Sequence, residues 1–235
     1  MINYLNHYEK FYQANNYDQE WRWLGAYCKA DNITRLVGEL QPEKIIDIGA
    51  GDGIVSKILS ERGIGKEHYA VDISSSAVEI IKSQNIASLI EAKSFDGYHI
   101  PYEDKHFDLA ICSHVIEHAE NPRQLLREIK RISKFCFIEV PLEDNVHAPR
   151  DFTWNDTGHI NIYSSRSMRY LLQSCELIIQ KDLVSLPSLK SHLYIGNKGL
   201  KFFTYMFKKG LMTVTPNLAS LLLTYHYSCF CACKA

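Results

Sequence analysis

Lys44-Ile45-Ile46-Asp47-Ile48-Gly49-Ala50-Gly51-Asp52-Gly53 is a short apolar run that ends in three glycines, and a helical pattern from Ile54 to Leu59 follows directly. Apolar run, glycine cluster and helix in that order form a strand-turn-helix unit. Glycines in such a turn let the backbone approach a ligand closely, and the helix N-terminus offers free N–H groups to its polar end. A dinucleotide fingerprint requires G-x-G-x-x-G, whereas here the third glycine comes one residue early and Ile54 follows it. That spacing disfavours an NAD-linked oxidoreductase.

Working outward, His68 to Ile73 reads as a second strand, capped by Ser74-Ser75-Ser76 into a helix from Ala77 to Lys82. Asp72 ends that strand about 20 residues beyond the glycine turn, where an acidic side chain accepts hydrogen bonds from both ribose hydroxyls. A nucleoside ligand is implied. Further strands are expected at Ser88 to Ala92, Phe107 to Cys112 and Phe135 to Val140, with a helix from Pro122 to Ile132. A helix to about Ser174, a strand from Leu177 to Val184 and a terminal strand from Leu222 to Cys233 complete the pattern. Upstream, Tyr17 to Leu40 reads as a helix closed by Pro42. Strands alternating with helices imply an α/β fold with a parallel sheet covered on both faces.

The 235 residues suit one domain: a helical cap at 1–41, a ligand-binding core at 42–185, and a variable insert with the terminal strand at 186–235. Lys and Arg number 26 against 27 Asp and Glu, so no global basic field attracts nucleic acid. No apolar run approaches the ~20 residues of a membrane span, and the N-terminus lacks a signal-peptide pattern, so a cytoplasmic protein is expected. Seven cysteines, an odd number, do not form a disulfide framework. Cys229, Cys231 and Cys233 alternate, so on a strand all three thiols face one way as small buried residues.

From Leu183 to Ala235 there are six lysines and no acidic residue, interleaved with Phe202, Phe203, Tyr205, Met206, Phe207 and Leu211. This stretch reads as the solvated face of a subdomain inserted before the last strand. Weak contact with an anionic membrane surface through 190–211, or a site for an anionic acceptor, is the alternative.

His114-Val115-Ile116-Glu117-His118 is a literal H-x-x-E-H, the signature in which two histidines one helical turn apart bind zinc in inverted zinc peptidases. It begins immediately after a strand, and Pro122 follows four residues after His118, so a zinc helix is disfavoured and no metal site is assigned.

Taken together, Ile45 to Gly53, Tyr69 to Ile73, Phe95-Asp96, His106 to His118 with Asn121-Pro122, and Gly158 to Ser164 resemble the class I S-adenosylmethionine-dependent methyltransferases. The resemblance covers roughly Lys29 to Leu186. It implies a Rossmann-like three-layer sandwich with a mostly parallel seven-stranded sheet and an antiparallel last strand. S-adenosylmethionine is the implied cofactor and S-adenosylhomocysteine its product. By the same resemblance Gly49, Ala50 and Gly51 line the methionine end, with Asp47 supporting the turn. Asp72 holds the ribose hydroxyls, with Ile73 a further cofactor-binding position; Phe95 and Asp96 flank the adenine, Ser113 and His114 sit near the methionine moiety, and Lys29 pairs with its carboxylate.

An acceptor with a proton to lose requires a base within hydrogen-bond reach. Ligands on such sheets bind outside the carboxyl ends of the strands, which nominates His114 and His118 first, then Glu143, Asp144, His147 and His159. His118 is the first choice, because histidine titrates near neutral pH. The aromatic N-terminus (Tyr4, Tyr8, Phe11, Tyr12, Tyr17, Trp21 and Trp23) suits either a lid or core packing. The expected partner is a small-molecule methyl acceptor, with a non-catalytic nucleoside-binding scaffold or regulatory module as the rival reading.

Overall fold

The computed structural model describes residues 4–14, 17–154, 157–194 and 196–234. Helix α1 (Tyr4–Ala14) and helix α2 (Gln19–Val37) precede strand β1 (Lys44–Ile48), and α3 (Ile54–Glu61), β2 (Glu67–Asp72), α4 (Ser75–Ser83), β3 (Leu89–Ser94) and β4 (Phe107–Ser113) follow. After a 3₁₀ turn at Ile116–His118 come α5 (Pro122–Ile132), β5 (Ser133–Pro141), α6 (Ser165–Ser174) and β6 (Ile178–Ser185). Helices α7 (Leu189–Tyr194), α8 (Lys198–Val214) and α9 (Pro216–Leu222) then lead to β7 (His226–Ala232). The seven strands form one sheet in the order β3-β2-β1-β4-β5-β7-β6. Strands β1 to β5 pair in parallel, and β7 runs antiparallel between β5 and β6.

Period-two alternation assigns the two faces. Ile45, Leu109, Ile111, Phe137 and Phe230 point to the layer of α2 and α3, with Ala30, Ile33, Ile58 and Leu59. Ile46, Ile48, Ala110, Cys136 and Ile138 point the other way, toward Leu125, Leu126 and Ile129 of α5 and Leu172 of α6. Cys229, Cys231 and Cys233 all join this second cluster, as their alternation predicts, and all three are buried free thiols.

Local chemistry sets the helix ends. Asp18 accepts the Trp21 N–H at 3.0 Å to start α2, and Ser74 accepts the Ala77 N–H at 3.1 Å to start α4. Helix α2 ends before the expected Leu40, because Gly38 takes a left-handed φ of 61° and closes it. The terminal strand likewise starts later than expected, at His226 rather than Leu222, since Pro216 at an N-terminal helix position begins α9, which occupies 216–222. No described helix is long and apolar enough to cross a membrane.

Leu126 is fully buried between α5 and the sheet. Leu126→Ala is expected to cost about 3 kcal/mol and to lower the thermal unfolding midpoint by roughly 6–12 °C, measured by circular dichroism.

Candidate functional site

Because β1, β2, β3 and β4 run parallel, their carboxyl ends share one edge, and the residues just past those ends meet there. A cavity of about 1100 Å³ opens at this edge beneath α1 and α2. Twelve of the sixteen sequence-predicted positions line it: Lys29, Asp47, Gly49, Ala50, Gly51 and Asp72, together with Ile73, Phe95, Asp96, Ser113, His114 and His118. Glu143, Asp144, His147 and His159 do not.

The floor is built from two turns joined by one carboxylate. Asp72 accepts the Gly51 N–H at 2.8 Å and the Ser74 N–H at 2.9 Å. Burial pushes its acid form up in pKa, and these backbone donors counter that. Asp47 faces the α3 layer and accepts the Ser56 hydroxyl at 2.8 Å; burial raises its pKa to about 7.

Gly49 and Gly51 both have left-handed φ, 67° and 61°, but for different neighbours. A Cβ on Gly49 would lie 2.4 Å from Val115 Cγ2, so that glycine admits close packing. A Cβ on Gly51 would instead meet the Tyr12 hydroxyl at 2.6 Å and the Arg22 guanidinium at 3.2 Å, both in the cavity wall. Asp96 turns back on its own chain, with Oδ1 accepting the Tyr98 and His99 N–H groups at 2.8 and 2.6 Å.

Lys29 differs from the other cations of the cavity wall. Arg22 is committed to an ion pair with Asp52 and lies over the Tyr17 ring at 4.8 Å. Among the described residues Lys29 has neither a hydrogen bond nor an ion pair, and so presents its charge to the cavity.

The two nominated histidines have opposite electrostatics. His114 has a left-handed φ of 59° and sits between two buried carboxylates, with Nδ1 3.4 Å from Glu117 and Nε2 3.3 Å from Glu139. Burial and the Lys29 charge oppose the imidazolium, yet the two carboxylates prevail and raise its pKa. Burial likewise works against the Glu139 carboxylate, but His114 and the Ser228 hydroxyl at 2.5 Å bring it down to about 2. Its other oxygen-directed donors are Asn32 at 2.8 Å and Ser113 at 3.2 Å. His118, by contrast, is held below its ordinary value by burial. Its Nδ1 lies 3.0 Å from the Gly158 carbonyl and 2.8 Å from the Tyr8 hydroxyl.

The H-x-x-E-H stretch forms no zinc helix: His114 opens the loop after β4, and Glu117 and His118 lie in the 3₁₀ turn. Two other groupings bring ligand atoms within 4.8 Å of one another, His114 with Glu139 and His226, and Glu117 with His118 and His159.

Of the aromatic N-terminal residues, Tyr8, Phe11, Tyr12 and Trp21 line the cavity, whereas Trp23 packs on the α2–α3 core. The Tyr4 side chain lies outside the described residues. Glu9 fastens α1 over the site by accepting the Ser74 hydroxyl at 2.8 Å and the Ser76 hydroxyl at 2.5 Å at the start of α4. Sequence reasoning missed Arg22, Asp52, Glu139 and His226. Glu139 carried a signal, a lone carboxylate in the apolar run Phe135 to Val140; His226 carried none.

A methyltransferase domain model matches residues 19–178, most of the chain. The chain belongs to this methyltransferase domain family. It is 26% identical over 191 residues to a ubiquinone/menaquinone biosynthesis C-methyltransferase of Bartonella henselae, covering 72% of this chain and 73% of that one. It is 26% identical over 120 residues to a demethylmenaquinone methyltransferase of Thermotoga maritima, covering 50% and 47%. The chain spans about half the length of the curated relatives it matches first. In fold it is similar to a geranyl diphosphate C-methyltransferase of Streptomyces coelicolor whose structure holds S-adenosyl-L-homocysteine, with a TM-score of 0.63, 12% identity, and coverage of 88% and 76%. The seven-stranded sheet with its antiparallel last strand is that of the class I S-adenosylmethionine-dependent methyltransferases. The residues present fit the family's cofactor: a bare Cα at Gly51, a buried acid ending β2, and Lys29 in the cavity wall, without an ion pair among the described residues.

His114 is therefore expected to titrate above about 6.5 and His226, desolvated beside it, near 4. The raised His114 pKa stabilises the fold fully below its unfolded value and is lost as pH rises through the folded one. The lowered Glu139 pKa stabilises above its unfolded value and is lost as pH falls toward 2. Nuclear magnetic resonance titration of labelled histidines reads both, and Glu139→Gln should bring His114 down.

Proposed function

We propose that the protein transfers a methyl group from S-adenosylmethionine to a small-molecule acceptor. The observation that carries this reading is the convergence of the twelve positions on one cavity of about 1100 Å³, roomier than a nucleoside requires. S-adenosylmethionine supplies an already activated sulfonium methyl, so the protein's task is to align an acceptor and exclude water. Lys29 pairs with the methionine carboxylate and Asp72 accepts from the ribose hydroxyls. Phe95 and Asp96 border the adenine, and α1 with its aromatic residues covers the cavity.

The two histidines divide the remaining work. His114 lies between Glu117 and Glu139, which draw it toward the imidazolium form and make it the less available base. His118 is uncharged at neutral pH. With Nδ1–H donating to the Gly158 carbonyl, Nε2 is its basic nitrogen, able to take the proton of an acceptor hydroxyl, ammonium or acidic carbon. A phenol or quinol-type metabolite suits this arrangement, and the quinone-biosynthesis methyltransferases among the relatives support it. Among the described residues the cavity wall carries one lysine, Lys29, rather than a row of them for a polyanion, which favours a metabolite over nucleic acid.

Incubation with methyl-labelled S-adenosylmethionine and a panel of polyhydroxylated aromatic acceptors tests the proposal. Label is expected in at least one acceptor. His118→Ala should lower turnover by roughly 10²-fold or more with donor affinity nearly unchanged. The rate should rise with pH through a value below ~6.5 and level above it. Donor binding with no turnover across the panel would favour a nucleoside-binding scaffold, and unchanged turnover in His118→Ala would remove it as the base.

A further inference from the structure

Helix α8 has no buried residue along its whole length, Lys198–Val214. Its only half-buried side chains are Tyr205, Lys208, Leu211 and Met212, which recur at helical spacing and form the face turned to the body. The opposite face is apolar. Phe203 is 73% exposed, Phe207 65% and Val214 80%, with Met206 and Leu200 beside them. Helix α9, packed against α8, adds exposed Leu218, Leu221 and Leu222. Large apolar side chains gathered exposed on one helix face, as on α8, mark an interaction site on a folded protein.

Charge identifies the occupant. Residues 183–235 carry six lysines and no acidic side chain, leaving 20 basic against 27 acidic residues in 1–182. Lys190, Lys198, Lys201 and Lys209 are all exposed. An all-cationic segment rules against a twofold contact with a second copy, because that contact would set lysines against lysines. A helix with Phe, Leu and Met on its outward face, in a segment whose acid and base side chains include six lysines and no carboxylate, suits the headgroup region of an anionic bilayer.

We propose that α8 and α9 dock the protein on an anionic lipid surface, with the Phe203–Phe207 face in the headgroup region and the lysines against lipid phosphates. The position suits this. Helix α7 lies between α8 and the cavity: His192 on α7 meets Thr204 on α8 at 3.1 Å, while Ser191 and the preceding Pro187 line the cavity wall. The surface itself stands whether or not the acceptor reading holds.

Flotation with vesicles of phosphatidylcholine alone or with phosphatidylglycerol, at low and high salt, tests the proposal. Binding is expected only to the anionic vesicles, and should weaken with salt. Phe203→Asp with Phe207→Asp should weaken it roughly tenfold or more, as should Lys198→Glu with Lys209→Glu. All four positions are exposed, so the variants should keep the wild-type circular dichroism and unfolding midpoint. Absence of binding to anionic vesicles at low salt would overturn the proposal, as would binding undiminished by both double substitutions. A dimer in sedimentation velocity that Phe203→Asp with Phe207→Asp abolishes, without vesicle binding, would overturn it in favour of a second copy.

Discussion

The Asp72 carboxylate accepts the Gly51 N–H on one oxygen and the Ser74 N–H on the other, and so binds the turn after β1 to the turn after β2. Both turns start helices, α3 and α4, whose first N–H groups otherwise lack partners. A buried carboxylate costs free energy unless such donors meet it, and these two fix the floor of the cavity. Parallel strands make this possible, because only they bring successive carboxyl ends to one edge. Helix α1 is anchored at the same point: Glu9 accepts from Ser74, the residue whose N–H Asp72 holds.

A second charged system lies next to the first. His226, Glu139, His114 and Glu117 follow one another beneath the loop after β4, with His114 paired to a carboxylate on either side. Burial disfavours the charged form of all three histidines; in His226 and His118 it prevails and lowers their pKa, whereas in His114 the flanking carboxylates outweigh it and raise the pKa. Two histidines four residues apart thus take different roles because their surroundings differ.

Much of this was legible in the sequence where a local pattern and its structural cause coincide. The glycines at 49, 51 and 53, the strand-ending Asp72 and the Ser74 cap each act through their own backbone neighbourhood, so chain order alone revealed them. The alternating cysteines told their common face for the same reason. Contacts across the fold left no such trace. Arg22 meets Asp52 from 30 residues away, and Asn32 meets Glu139 across 107. The region from Ser185 to His226 was read least well, because α8 buries nothing and its apolar spacing answers to no core. The first residues of the terminal strand were misread because Leu221 and Leu222 continue the apolar pattern while Pro216 has already begun a helix.

Calorimetric titration with S-adenosylhomocysteine tests the central claim, that the glycine turn, Asp72 and Lys29 together form a nucleoside-sulfonium site. One molecule is predicted to bind per chain, and Lys29→Ala, which removes an unpaired cation without disturbing a hydrogen bond, should weaken binding roughly tenfold. No binding by the folded wild-type protein would contradict the account.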